Sequence, residues 1–304
     1  MSFTTIRVTV GRVVLVVGIL ILLFIPYLLW GTGLITAHNQ DVLSQQFRAD
    51  QQKDHSHPAR TIAAPKRGTT PPVLQVAPSV PDPSVGSAVG TIQIPKINLA
   101  MTLVEGTDEA QLAMGPGHYP TTPLPGQAGN AAIAGHRTTY LHPFYNLDSL
   151  APGDLIFVTT LQGTFLYTVA STQVVLPTDV SVVDPTPTPT LTLTTCNPRY
   201  SASQRLVVHA TLVASELAHP TITPVAVVTK PHHQAPAPVP PARDWTAAIL
   251  WGVGVAVLAI GVWMLALRTH RATRAAAMVG GTLVWLFVVF YFFQSVAPLL
   301  PASY

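Results

Sequence analysis

The chain holds one cysteine, Cys196, at the end of the run Thr192-Leu193-Thr194-Thr195-Cys196 and just before Asn197-Pro198. Proline cannot continue a central strand, so this thiol is expected where a strand gives way to a loop. A lone thiol is either a small buried hydrophobe or a nucleophile. A structural cysteine is more usual inside a strand, and the strand-end position leaves the two readings level. A nucleophilic thiol needs a group that takes its proton and then protonates a leaving amine. His136 is the natural candidate, since it follows Ala131-Ala132-Ile133-Ala134 and Gly135 and so also ends a strand. Its plainer alternative is a satisfied surface histidine. That alternative suits His142, beside Pro143, and His209, within a strand, better; His118, after Gly117, could still reach the site. Acyl transfer also needs donors for a developing oxyanion. Arg205 opens the strand after Cys196, and a returning strand brings it back near the thiol. Its guanidinium is permanently charged and offers a fork of donors, although a strand-edge arginine in a surface pair is an equal alternative.

These residues must be held by a domain at residues 89–215. Strand character runs through Gly90–Ile97, with Ile92, Ile94 and Ile97 inward, then Ala131–Ala134, Asp154–Thr160, Thr164–Val175, Leu191–Thr195 and Arg205–Val213. β-branched and aromatic residues dominate these runs, and Gln162-Gly163 suits a hairpin turn. Helix signals are few: Thr107-Asp108 can cap a short helix through Met114, and residues 143–150 suit another turn. Many short strands with Gly/Pro turns predict a mainly β domain, a small closed barrel or sandwich.

The flanks are of another kind. Charged residues are 10% of the 304, mean hydropathy is +0.40, and the net charge of +3 is too small to suggest nucleic acid. One cysteine rules out an internal disulfide framework and a Cys-rich metal site. Three apolar runs, at residues 13–30, 247–267 and 275–297, read as transmembrane helices. Arg7 and Arg12 place residues 1–12 in the cytoplasm, and Arg268, Arg271 and Arg274 mark 268–274 as a cytoplasmic basic loop. Residues 31–246 and the tail at 298–304 then lie outside the cell, which puts the protein in the plasma membrane. Residues 31–88 and 216–246 read as Pro-rich linkers. Their histidines, His55, His57, His232 and His233, read as solvated.

The segments Ala134-Gly135-His136-Arg137-Thr138-Thr139-Tyr140, Thr192-Leu193-Thr194-Thr195-Cys196-Asn197-Pro198 and Arg205-Leu206-Val207-Val208 resemble the sortases, with His, Cys and Arg in the same chain order and the TLxTC pattern met in full. Gly115-Pro116-Gly117-His118-Tyr119-Pro120, Gly129-Asn130 and the run through Tyr140 are most similar to class E. The resemblance implies an eight-stranded β-barrel. It implies that Cys196 attacks the Thr–Gly carbonyl of an LPxTG-like sorting signal, LAxTG for class E. His136 would be the general acid and base, and Arg205 would stabilise the oxyanion. Thr195, His118 and Tyr140 would line the substrate site. The partners would be surface proteins carrying C-terminal sorting signals and an amine of a peptidoglycan precursor, with no cofactor and no metal. Alternatives are a pilin-polymerising sortase, a thioacyl hydrolase and a non-enzymatic surface module. An Asp-Pro-aromatic lid is not expected, since Asp82-Pro83 is followed by Ser84. Residues 184–190 match the end of the loop that shapes substrate choice, or else form a rigid connector. A papain-like protease is disfavoured because there the cysteine precedes the histidine.

Overall fold

A computed structural model of the chain describes residues 3–53, 75–217, 245–268 and 271–297. They divide into two compact units, residues 3–28 with 245–268 and 271–297, and residues 29–53 with 75–217.

The second unit is built on eight strands: β1 (Ala88–Ile94), β2 (Leu99–Glu105), β3 (Gly117–His118), β4 (Asn130–Ala134), β5 (Leu155–Thr160), β6 (Gly163–Val175), β7 (Thr190–Asn197) and β8 (Gln204–Leu217). They close into a barrel in the order β1-β2-β3-β4-β7-β8-β6-β5, with β1 antiparallel to β5 completing the ring. Closure removes the exposed edges of a flat sheet. Side chains alternate across the wall. Ile92, Ile94, Leu103, Ile133, Ile156, Val158, Phe165, Tyr167, Leu191, Leu193 and Val208 point inward and are fully buried. Each such aliphatic or aromatic side chain contributes about 1.5–3 kcal/mol by leaving water.

The sequence-derived strands are all present within one to four residues of their expected ends. Ile97 lies in a 3₁₀ turn, Pro95–Ile97, rather than in β1. Proline has no N–H to give to the ladder, and Asn98 then turns the chain at φ 56° into β2. The helix after Asp108 is the single turn α3 (Glu109–Leu112), and residues 143–150 supply only a 3₁₀ turn at Leu147–Ser149. Here α3 keeps its number in the chain after two N-terminal helices, α1 (Phe3–Pro26) and α2 (Thr32–Lys53).

The unit is larger than residues 89–215. Ala77 donates its N–H to the Gly126 carbonyl at 2.8 Å, and Gln75 exchanges hydrogen bonds with the Ser215 side chain. More important, residues 32–53, expected in the linker at 31–88, are the helix α2, with Leu43 and Phe47 buried. The Gln40 side chain acts as a short strand on β2. Its Oε1 accepts the Thr102 N–H at 2.7 Å, and its Nε2 donates to the Thr102 carbonyl at 3.0 Å and the Met114 carbonyl at 2.9 Å. Two-residue β3 covers β2 only at Val104 and Glu105, so Gln40 satisfies backbone groups that the ladder leaves over.

The first unit contains α1, α4 (Thr246–Arg268) and α5 (Arg271–Val296). Tyr27, Val255, Val289 and Phe293 form its buried centre, and Trp285 donates its indole N–H to the Val255 carbonyl at 3.1 Å. Among the described residues one span, Met278–Val296, is long and apolar enough to cross a membrane; Thr246–Val262 is a shorter apolar helix. Of the basic loop expected at 268–274, Arg268 ends α4 and residues 271–274 already belong to α5. Most of the linker at 216–246, the Pro-rich part of the other and the tail at 298–304 lie outside the described residues, as do the four linker histidines.

Candidate active site

Three adjacent strands, β4, β7 and β8, assemble the site. β4 runs parallel to β7, with Ala134 opposite Thr194, and the Gly135 N–H extends that ladder to the Thr194 carbonyl at 3.1 Å. His136 and Cys196 are each two residues beyond the Ala134–Thr194 pair, so they share one level and one face on strands about 4.8 Å apart. On the other side of β7, Cys196 stands directly opposite Arg205 of antiparallel β8. Opposed residues of a pair lie on the same face of the sheet. Inward positions on these strands are Ile133, Leu191, Leu193, Leu206 and Val208, so His136, Cys196 and Arg205 form a row on the outer face. Below that row, the same face carries Ala134, Thr194 and Val207, and then Ala132, Thr192 and His209, whose Nδ1 is 2.9 Å from the Thr192 hydroxyl. Tyr119 reaches over it, its hydroxyl 3.1 Å from that of Thr194.

His136 and Cys196 are both 4% exposed. Burial lowers the His136 imidazolium to about 4. Burial pushes the Cys196 thiol up, against the downward pull of the Arg205 and Arg137 guanidiniums. Both shifts follow from taking a charged form out of water. At neutral pH the resting pair is therefore a thiol and a neutral imidazole. Arg205 is half-buried, and one of its terminal nitrogens donates to the Ala202 and Gln204 carbonyls at 3.0 and 3.2 Å. These bonds hold the guanidinium at the mouth of the 198–203 turn.

Gly135 is small for a reason. A Cβ there would come 2.6 Å from the ring of fully buried Phe144, whose own N–H donates to the His136 carbonyl at 3.1 Å. Phe144 thus clamps the chain on both sides of His136.

Two expected substrate-lining residues sit elsewhere. Thr195 points to the inner side of the wall and donates its hydroxyl to the Gly135 carbonyl at 2.7 Å. It ties the end of β4 to the end of β7. His118 is 1% exposed, with Nδ1 2.8 Å from the Glu105 carboxylate and Nε2 3.0 Å from the Pro123 carbonyl. Its register opposite Ile133 leaves it three residues short of His136, and both nitrogens face acceptors inside the protein. Tyr140 does reach the site: its ring packs against that of His136, with centroids 4.7 Å apart and planes tilted by 33°.

The sequence reading assigns no role to Arg137, and the structure gives it a central position. It is 4% exposed, and one terminal nitrogen donates to the Cys196 carbonyl at 2.9 Å and to Asn197 Oδ1 at 2.8 Å. The other pairs with Asp148 at 2.9 Å. Asp148 is in turn gripped by Arg199, whose guanidinium lies 4.4 Å over the Tyr145 ring. One arginine therefore fastens the residue after His136 to the residue carrying the thiol. A charged residue directly after a candidate base, in an otherwise apolar stretch, was the available signal.

The loop at 176–189 leaves β6 beside Arg205, since Val175 pairs with it, and returns as β7. Asn130 holds its middle through the Val182 and Asp184 carbonyls, both at 3.1 Å, and the Thr186 hydroxyl donates to the Thr188 carbonyl at 2.8 Å. No group of three or more His, Cys, Asp or Glu that could hold a metal occurs among the described residues.

A family model described as Sortase domain matches residues 92–213. Over 220 residues the chain is 32% identical to sortase SrtE1 of Streptomyces coelicolor, covering 67% of this chain and 56% of that protein. Over 101 residues it is 36% identical to sortase D of Bacillus subtilis, covering 33% of this chain and 50% of that one. The chain thus spans about half the length of these two curated relatives. Among solved structures, sortase E1 from Streptomyces coelicolor with a tripeptide in the active site is 32% identical, with a TM-score of 0.42, over 43% of this chain and 91% of that one.

Proposed function

We propose that the protein, whose residues 92–213 match the Sortase domain family model, is a cysteine transpeptidase of the sortase family that joins surface proteins to a cell-wall amine. The observation that carries this reading is the row His136–Cys196–Arg205 on three neighbouring strands. A buried thiol between an imidazole and a guanidinium is what acyl transfer requires.

In this reaction His136 takes the thiol proton as Cys196 Sγ attacks the Thr carbonyl of an LPxTG- or LAxTG-like signal. The charge that develops on the carbonyl oxygen meets the Arg205 guanidinium. His136 then gives its proton to the departing Gly amine, which leaves a thioester on Cys196. An amine of a peptidoglycan precursor attacks that thioester and loses a proton to His136, which returns it to the sulfur. Arg137 keeps the thiol and the imidazole in register throughout. Neutral His136 at rest supports the first step, and the buried sulfur supports slow loss of the thioester to water.

The arginines flanking the apolar runs support the anchoring scheme in which residues 1–12 and 268–274 are cytoplasmic and the barrel is outside. The apolar span at Met278–Val296 is consistent with it.

The test is incubation of the full chain, in detergent, with LAxTG and LPxTG peptides and an amine acceptor, read by mass spectrometry. An amide-linked product from the native chain, absent from Cys196→Ala, is the expected result. Cleavage to the free acid alone, at saturating amine, would establish a hydrolase instead. Cleavage that survives Cys196→Ala would refute the assignment of the nucleophile.

A further inference from the structure

The loop that carries Tyr140 is strained and is held from outside the barrel. Tyr140, Leu141 and His142 have φ of 53°, 59° and 40°, three successive left-handed residues of which none is glycine. Each such residue costs free energy, and a run of them persists only where surrounding structure over-determines it. The restraint comes from the first turns of α2. The Tyr140 N–H donates to the Thr32 hydroxyl at 3.2 Å, and Thr32 is fully buried. Gly33 lies so close to Leu141 that a Cβ on it would be 3.2 Å from Leu141 Cδ2. Thr36 donates its hydroxyl to the Ala113 carbonyl at 2.9 Å, so the turn that grips the loop is itself fixed to the barrel. The other face of the loop is the site: the Tyr140 ring packs against His136.

We infer that the first turn of α2 serves the catalytic site: Thr32 acts as a positioning residue that, through the Tyr140 backbone, sets the ring over His136 and so the orientation of the imidazole toward Cys196. The helix follows the apolar N-terminal segment with only residues 27–31 between, so a domain cut out of the chain after residue 53 would lose this restraint while keeping His136, Cys196 and Arg205.

The inference rests on the transpeptidase reading for its turnover readout, and a second readout is independent of it. Cys196 is the only cysteine, so alkylation by iodoacetamide reports its ionisation and accessibility alone. In the full chain, Thr32→Val keeps the shape and removes the acceptor, Thr32→Ser keeps the acceptor, and Gln40→Ala loosens the helix away from the loop. Thr32→Val is expected to lower kcat about tenfold with KM within twofold, and to displace the pH profile of alkylation. Thr32→Ser should restore both, and Gln40→Ala should lower Tm while leaving the profile of the folded protein in place. A Thr32→Val chain with native kcat and a native alkylation profile would overturn the inference. So would a displaced profile that Gln40→Ala reproduces, since that would report general loosening. If the native chain transfers no peptide and the profile still moves with Thr32→Val alone, the positioning contact stands and the transpeptidase reading falls.

Discussion

Two buried histidines separate what the barrel needs in order to stand from what it needs in order to react. His118 and His136 sit on neighbouring strands, at 1% and 4% exposure. Around His118 every ring nitrogen meets an acceptor, a carboxylate on one side and a carbonyl on the other. Glu105, its partner, is fully buried, with Oε2 on His118 Nδ1. Around His136 burial dominates instead, lowers its imidazolium to about 4, and aligns it with a thiol and a guanidinium. Burial alone therefore does not mark a functional histidine. The difference lies in whether the surroundings spend the ring on the fold or keep it in one protonation state for a neighbour.

The comparison is sharpest in substitutions. His136→Ala should lower kcat by a factor of about 10² to 10⁴, the usual worth of general acid–base catalysis, with Tm unchanged or slightly raised. His118→Ala should do the reverse. Removing one partner of a buried hydrogen bond leaves the Glu105 carboxyl group without its donor, which costs about 1–3 kcal/mol, visible as a lower urea midpoint, while the rate per folded molecule stays within a few-fold. A large rate loss in a fully folded His118→Ala chain would break the distinction.

A pH titration of stability is the next test. His136 binds its proton near 6.5 when unfolded and near 4 when folded, so between these values the unfolded chain holds more protons. Its contribution to stability is present above 6.5 and is lost as pH falls toward 4. At about 1.4 kcal/mol per pH unit the loss is roughly 3 kcal/mol. Urea unfolding at pH 7 and pH 4.5 should show that part of the acid sensitivity vanish in His136→Asn. An unaltered acid dependence would mean that the ring is not held neutral.

A smaller effect is expected at Arg137. Arg137→Lys keeps the charge but loses the fork that joins the Cys196 carbonyl, Asn197 and Asp148. The rate should fall about tenfold, with the Cys196 alkylation profile moving up in pH as the guanidinium's pull weakens. Asp148→Asn, half-exposed and linked only through arginines, should cost less than about 1 kcal/mol of stability and only a few-fold in rate.

Much of this was legible in the residues themselves. Cys196 before Asn197-Pro198, His136 after Gly135, and Arg205 at a strand start all announce strand ends, and the barrel brings those ends together. What was hidden has a common cause. β3 has two residues, too few for any alternation to register. The helix α2 meets the barrel through Thr32, Thr36 and Gln40 as well as Leu43 and Phe47, so no continuous apolar stripe advertises it. The TLxTC resemblance implies a pocket position for Thr195, yet alternation along β7 turns it to the opposite face. Neighbours in sequence are separated by the wall of the barrel, and residues far apart, such as Arg137 and Cys196, are joined across it.

The most direct test of the central claim is the intact mass of the full chain during reaction with a sorting-signal peptide in the absence of amine. An acyl adduct that maps to Cys196 and disappears on addition of an amine, with the amide product appearing in step, is the predicted result. Product formation with no adduct on Cys196, or an adduct carried by the Cys196→Ala chain, would contradict it.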